Sequence, residues 1–275
     1  MYERIRRLAT FAILVAGGLI TAGVAQAADV PTIAAASSLQ FALTDIATEF
    51  RRTTGRDVRL AFGSSGNFRR QIVDGAPFEL FLSADAGYAD ALVREQRTLG
   101  PGVVYAVGRL ALFVPSGSPV KADPGLRDVA AALRDGRLRK FAIANPALAP
   151  YGRAAEQVLQ HAGLWADIES HLVLGENISQ AAQFAASGAA QAGIVAWSLI
   201  REPGIAARGQ AVLLPAADHE PLVQKLVLLK HAGATARAFA AFVLTPGAQA
   251  IFARYGLEPP ERRPVSASPP RTHLG

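Results

Sequence analysis

A chain of 275 residues, 51% hydrophobic and 18% charged, has the composition of a globular protein with one large domain or two of ordinary size. It contains no cysteine, which excludes disulfides, thiolate nucleophiles and thiolate metal sites. The formal charge of +6 comes without a basic stripe interleaved with aromatics, so nucleic acid is not an expected partner, and the densest basic run, "RDGRLRKF" at 134–141, reads as a solvated helix end.

The first 27 residues read as a signal peptide. Arg4, Arg6 and Arg7 precede the apolar stretch "LATFAILVAGGLITAGV", and "AQA" at 25–27 supplies a small-residue cleavage site. Glycines interrupt the apolar stretch and no charge flanks its end, which favours a cleaved leader over a membrane anchor. The general secretory route fits better than twin-arginine export, and no cysteine at the cleavage site invites a lipid anchor. The mature chain is expected in the periplasm. It loses three arginines and one glutamate with the leader, leaving 25 basic against 21 acidic residues, or +4.

Strand-like apolar runs then recur at 30–36, 58–62, 79–84, 110–115, 141–144, 192–196, 211–214 and 225–230. Helical patterns lie between most of them. Over 38–55, Leu39, Leu43, Ile46 and Phe50 recur at spacings of three and four, and Gly55 supplies the stop. Further helices are expected at 67–75, 86–96, 126–134, 151–162, 177–187, 235–244 and 246–255. Such alternation predicts α/β architecture with largely parallel sheets. The closing "PPERRPVSASPPRTHLG" (259–275) is proline-rich and poor in apolar residues, the composition of a disordered tail.

Ligands of open parallel sheets collect where strands end and helices begin. After the strand at 30–36 come Ser37 and Ser38; after 58–62 comes "GSSGN"; after 141–144 comes "NPALAPYG" with Tyr151; after "HLVLG" (171–175) comes "ENISQAA". All four turns offer hydroxyls and free N–H groups, and none includes a lysine or arginine. Each has an ordinary explanation as an N-cap or a turn. Together they suggest an anion site built from neutral donors. The glycine-rich turn is no Walker P-loop, since the lysine and its spacing are absent.

From Pro31 to Leu257 the chain resembles the periplasmic molybdate-binding proteins of ABC transporters. The resemblance rests on "AAASSLQFALTDIATEF", "FGSSGNFRRQIVDGAPFELFLSAD", "FAIANPALAPYGRAA" and, less specifically, "AAFVLTPGAQAIFARYGL". It implies a bilobal type II periplasmic-binding-protein fold, with two mixed, mostly parallel sheets flanked by helices and a hinge between lobes. The lobes would divide as 28–107, 108–217 and a return segment 218–258. It implies capture of molybdate, with tungstate indistinguishable by size and charge, and delivery to a membrane permease. The protein would act as a monomer without cofactor or catalysis, holding molybdenum only as the oxyanion. Carried over residue by residue, the ligand donors are Ser37, Ser38, Ser65, Tyr151 and the backbone N–H of Ile178. The Ser64 side chain would lie outside them. Many family members have a ligand tyrosine directly after the "GIV" strand; Ala196 stands there, and Tyr151 is expected to substitute.

Two other classes compete. A binder of sulfate, phosphate or another small anion would use the same donor types. A secreted serine hydrolase using Ser64 or Ser65 fits poorly, because "GSSG" is not G-x-S-x-G and the five histidines show no partner spacing.

Overall fold

The computed structural model describes residues 30–260; the expected signal peptide and nearly all of the proline-rich tail lie outside them. The first lobe begins with β1 (Thr32–Ala36), α1 (Gln40–Thr54), β2 (Arg59–Gly63), α2 (Ser65–Val73), β3 (Phe78–Ser83), α3 (Ala86–Arg94) and β4 (Val103–Gly108). The second lobe runs through β5 (Leu110–Pro115), α4 (Arg127–Arg134), β6 (Phe141–Ala144), α5 (Pro150–His161), α6 (Trp165–Ile168) and β7 (Leu172–Gly175). It continues through α7 (Ile178–Ala186), β8 (Ala192–Ala196), α8 (Trp197–Ile200), α9 (Pro203–Ala206) and β9 (Gly209–Leu213). The chain then returns to the first lobe as β10 (Leu222–Leu228), α10 (Ala234–Val243) and α11 (Pro246–Arg254).

Each lobe is built on a five-stranded sheet, ordered β2-β1-β3-β10-β4 in the first and β7-β6-β8-β5-β9 in the second. In both, two ladders are parallel and two antiparallel, and a single strand, β10 or β5, runs against the other four, so the sheets are mixed and mostly parallel in strand direction, as expected. The antiparallel ladders belong to β10 and β5, the strands that carry the chain into or out of each lobe. The strand-helix-strand units keep their strands parallel, as a crossover helix demands.

Local sequence explains the elements. β1 is a continuous run of small apolar residues because helices cover both faces of a central parallel strand; Ile33, Ala34 and Ala35 are fully buried. α1 buries Leu43, Ile46 and Phe50 and ends at Gly55, whose φ of 69° is the left-handed cap that glycine adopts without penalty. The Phe50 ring meets Phe239 and Phe242 of α10 edge-on at 5.1 and 5.4 Å, fixing the return segment on α1.

β4 was not among the expected strands. It is followed after one residue by β5, so the sequence from 103 to 115 reads as one apolar segment. The chain changes sheets at Arg109, whose guanidinium reaches Glu258 Oε1 at 2.6 Å and the Leu214 carbonyl at 3.2 Å. Arg109 thereby ties the outgoing crossing to the returning one, which spans 214–221.

Candidate anion-binding site

Four helix N-termini meet between the lobes. A single 3-10 turn, Ser37–Leu39, leads into α1, and α2 starts at Ser65. From the second lobe, α5 starts at Pro150 and α7 at Ile178. Each N-terminus carries partial positive charge and N–H groups without intrahelical acceptors. They enclose a cavity of about 10 Å³ lined by Ala36, Ser37, Ser38, Gly63, Ser64, Ser65, Ala84, Ala149, Pro150, Tyr151 and Ile178. A volume of that order holds roughly one water-sized group, so a compact ion suits it better than an extended molecule. No lining residue carries a formal charge.

Capping determines which amides stay free. In α2, Asn67 N–H donates to Ser64 Oγ at 3.3 Å and Gly66 N–H donates to the Leu148 carbonyl at 3.1 Å. The Ser65 N–H at the first helical position is left over. In α7, Asn177 Oδ1 accepts from Ser179 N–H at 3.0 Å and Gln180 N–H at 3.1 Å, which leaves the Ile178 N–H in the same way. Neither amide finds a protein acceptor among the described residues.

The hydroxyls are similarly disposed. Ser65 Oγ accepts from Ala84 N–H at 3.1 Å, and Ser37 Oγ accepts from Ser179 N–H at 3.3 Å, so each retains its proton for another acceptor. Ser38 Oγ is buried without a hydrogen-bond partner among the described residues. Tyr151 is 1% exposed and its Oη accepts from Gln224 Nε2 at 3.1 Å. Burial pushes its pKa up to about 12; the Ser38, Gln224 and Ser198 groups nearby offset part of the rise. Of these three, only Gln224 has well-formed hydrogen-bond geometry with the phenol. At neutral pH Tyr151 is therefore a neutral donor.

The structure brings Ser37, Ser38, Ser65, Tyr151 and Ile178 to one cavity. Ser64 lines it too, but its hydroxyl caps α2. Ala196, the last residue of β8, pairs with Leu110 and does not line the cavity. Trp197 packs against Gly256, where an added Cβ would stand 2.3 Å from the ring, and the Arg201 guanidinium lies 5.8 Å from the ring centroid. Its ring is thus committed to the junction with the first lobe.

Sequence reading passed over the residues that join the lobes. Ser179 Oγ donates to the Ser37 carbonyl at 2.9 Å and Ser198 Oγ to the Ser38 carbonyl at 2.6 Å. Asn67 Nδ2 donates to Glu176 Oε1 at 2.7 Å. Arg153 donates to Tyr88 Oη at 2.8 Å and pairs with Asp85. Gln224 had a visible signal: in "LVQKLVL" it falls on the inward face with Leu222 and Leu226.

A model of the bacterial extracellular solute-binding proteins matches residues 31–258. The chain is 41% identical over 216 residues to the molybdate-binding protein ModA of Rhodobacter capsulatus, across 77% of this chain and 81% of that one. It is 38% identical over 244 residues to ModA of Azotobacter vinelandii, across 87% and 94%. Among solved structures, the periplasmic molybdate-binding protein of Azotobacter vinelandii superposes with a TM-score of 0.75 at 32% identity, covering 84% of this chain and 100% of that chain.

Proposed function

The chain belongs to the bacterial extracellular solute-binding proteins, and from its likeness to molybdate-binding relatives we infer that it captures molybdate in the periplasm and passes it to an ABC importer. The observation that carries this reading is the convergence of four helix N-termini and buried hydroxyls on a small cavity with no charged lining residue. A tetrahedral dianion loses its hydration on burial, and that loss must be replaced by hydrogen bonds. The Ser37, Ser38, Ser65 and Tyr151 hydroxyls and the Ser65 and Ile178 amides offer that replacement from both lobes. Because the donors come from opposite lobes, opening the cleft separates them and releases the ion to the permease. One chain supplies every donor, so a monomer suffices, and the function needs no cofactor.

The same donors argue against the competing readings. A serine nucleophile needs a base within hydrogen-bond reach, whereas Ser65 Oγ meets an amide and Ser64 Oγ caps a helix. Hydrogen phosphate must place its own proton on an acceptor, and no carboxylate lines the cavity to take it. Sulfate lacks such a proton and is separated from molybdate by size alone. Calorimetric competition among molybdate, tungstate, sulfate and phosphate tests the reading. Molybdate and tungstate are expected to bind alike and to displace the other two, and equal affinity for sulfate would leave only a general oxyanion binder.

A further inference from the structure

We propose that Tyr105 and Gln224 are positioning residues for the anion: as the lobes close, they hold the Tyr151 hydroxyl with its proton directed into the cavity. The proposal rests on reading Tyr151 as an anion donor. Gln224 on β10 is fully buried and Tyr105 on β4 is 1% exposed, both in the first lobe, whereas Tyr151 stands on α5 of the second. Tyr105 Oη donates to Gln224 Oε1 at 3.0 Å, and Gln224 Nε2 donates to Tyr151 Oη at 3.1 Å. A phenol oxygen that accepts from Gln224 must send its own proton elsewhere, and the adjoining space is the cavity that Tyr151 lines.

The direction of the relay is set at its far end. Were the amide reversed, Oε1 would face Tyr151 and take its proton, turning a donor to the anion into a donor to the protein. Tyr105 would then have to donate to the Ser83 carbonyl at 3.5 Å, the outer limit of a hydrogen bond, in place of an acceptor at 3.0 Å. A buried hydroxyl without a good acceptor is costly, so Tyr105 keeps Oε1 on its own side. Burial raises the pKa of both tyrosines, so both retain the protons the relay uses. The phenol has little freedom to turn away. At Gly108 an added Cβ would lie 2.1 Å from Tyr151 Oη and 2.9 Å from Gln224 Nε2, so this glycine admits both groups to the crossing between lobes.

A double-mutant cycle on the mature protein, with molybdate affinity read by calorimetry, tests the relay. Gln224→Met keeps shape and removes both hydrogen bonds; Tyr105→Phe removes only the group that orients the amide. Each is expected to weaken molybdate binding about 3- to 10-fold, the range of one ordinary hydrogen bond. In a Tyr151→Phe background each is expected to change affinity less than 2-fold, roughly, because the hydroxyl they orient is gone. An unchanged affinity in both single variants overturns the proposal. So does the same fold-loss in both backgrounds, which marks a general structural effect. If Gln224→Met does not fold, the Tyr105→Phe half of the cycle decides alone. Parent-like binding by Tyr151→Phe itself refutes Tyr151 as a donor, a different failure from that of the relay.

Discussion

Ser64 and Ser65 are adjacent and both buried, yet they serve different ends. Ser64 Oγ caps α2, whereas Ser65 Oγ accepts from Ala84 and keeps its proton for the cavity. Ser65→Ala is therefore expected to reduce molybdate affinity by about one to two orders of magnitude, the loss of one hydrogen bond to a charged group. Ser64→Ala should lower stability by about 1 kcal/mol with a much smaller effect on affinity. Calorimetry and thermal denaturation on both variants separate the two roles; a Ser65→Ala protein that binds like the parent removes this hydroxyl from the site. Tyr151→Phe should match the Ser65→Ala loss. Tyr151 also leaves a mark at high pH. Its folded pKa of about 12 lies above the ordinary value near 10. The unfolded chain thus releases this proton first, and stability present in full below pH 10 falls between about pH 10 and 12, by about 2–3 kcal/mol from this group. Melting temperatures of Tyr151→Phe should decline less steeply over that window than those of the parent.

At the scale of elements, α2 comes within a backbone contact of the other lobe. Gly66 N–H donates to the Leu148 carbonyl, and a Cβ at Gly66 would lie 2.6 Å from that oxygen and 3.1 Å from Tyr88 Oη. Alanine suits a helix better than glycine. Gly66→Ala should accordingly leave the stability of the unliganded protein nearly unchanged, since Tyr88 of the same lobe needs to give only slightly, while weakening molybdate binding about 10-fold or more, because the clash with the Leu148 carbonyl arises only when the lobes meet. Binding as tight as the parent's would show that α2 need not approach Leu148 so closely. Elements of this kind were largely legible in the sequence. β5, β6 and β8 occupy the residues their apolar runs predict, since a strand buried on both faces leaves no polar position to blur its ends. The serine turns were legible because a strand-to-helix turn places donors where ligands gather. β4 was not, since only Arg109 separates it from β5 and nothing local announces a change of sheet. β10 starts three residues before the expected run, and that difference brings Gln224 into the strand. Gln224 escaped notice because Tyr151 is 73 residues away and on another lobe. Periodicity shows which way a side chain faces but not what it meets there.

At the scale of the molecule, closure is where binding and delivery meet. The cleft is crossed at Ser37–Ser179, Ser38–Ser198, Asn67–Glu176 and Gly66–Leu148, and beside the cavity Arg153 clasps Asp85 and Tyr88. The Arg153 side chain is 42% exposed, so its ion pair is screened and adds about 0–1 kcal/mol to the closed form. The proposed donors come from both lobes, so the anion is expected to favour the closed form by its differential affinity for that form. Small-angle scattering should accordingly show a smaller radius of gyration with saturating molybdate than without it. Arg153→Ala removes the clasp but no cavity donor. It should leave the liganded radius unchanged, keep the unliganded radius at least as large as the parent's, and weaken molybdate binding by no more than about 5-fold. A parent protein whose radius is the same with and without molybdate would contradict the hinge. An Arg153→Ala loss as large as that of Ser65→Ala would mean that Arg153 acts on the anion itself, and that neutral donors alone do not hold the charge.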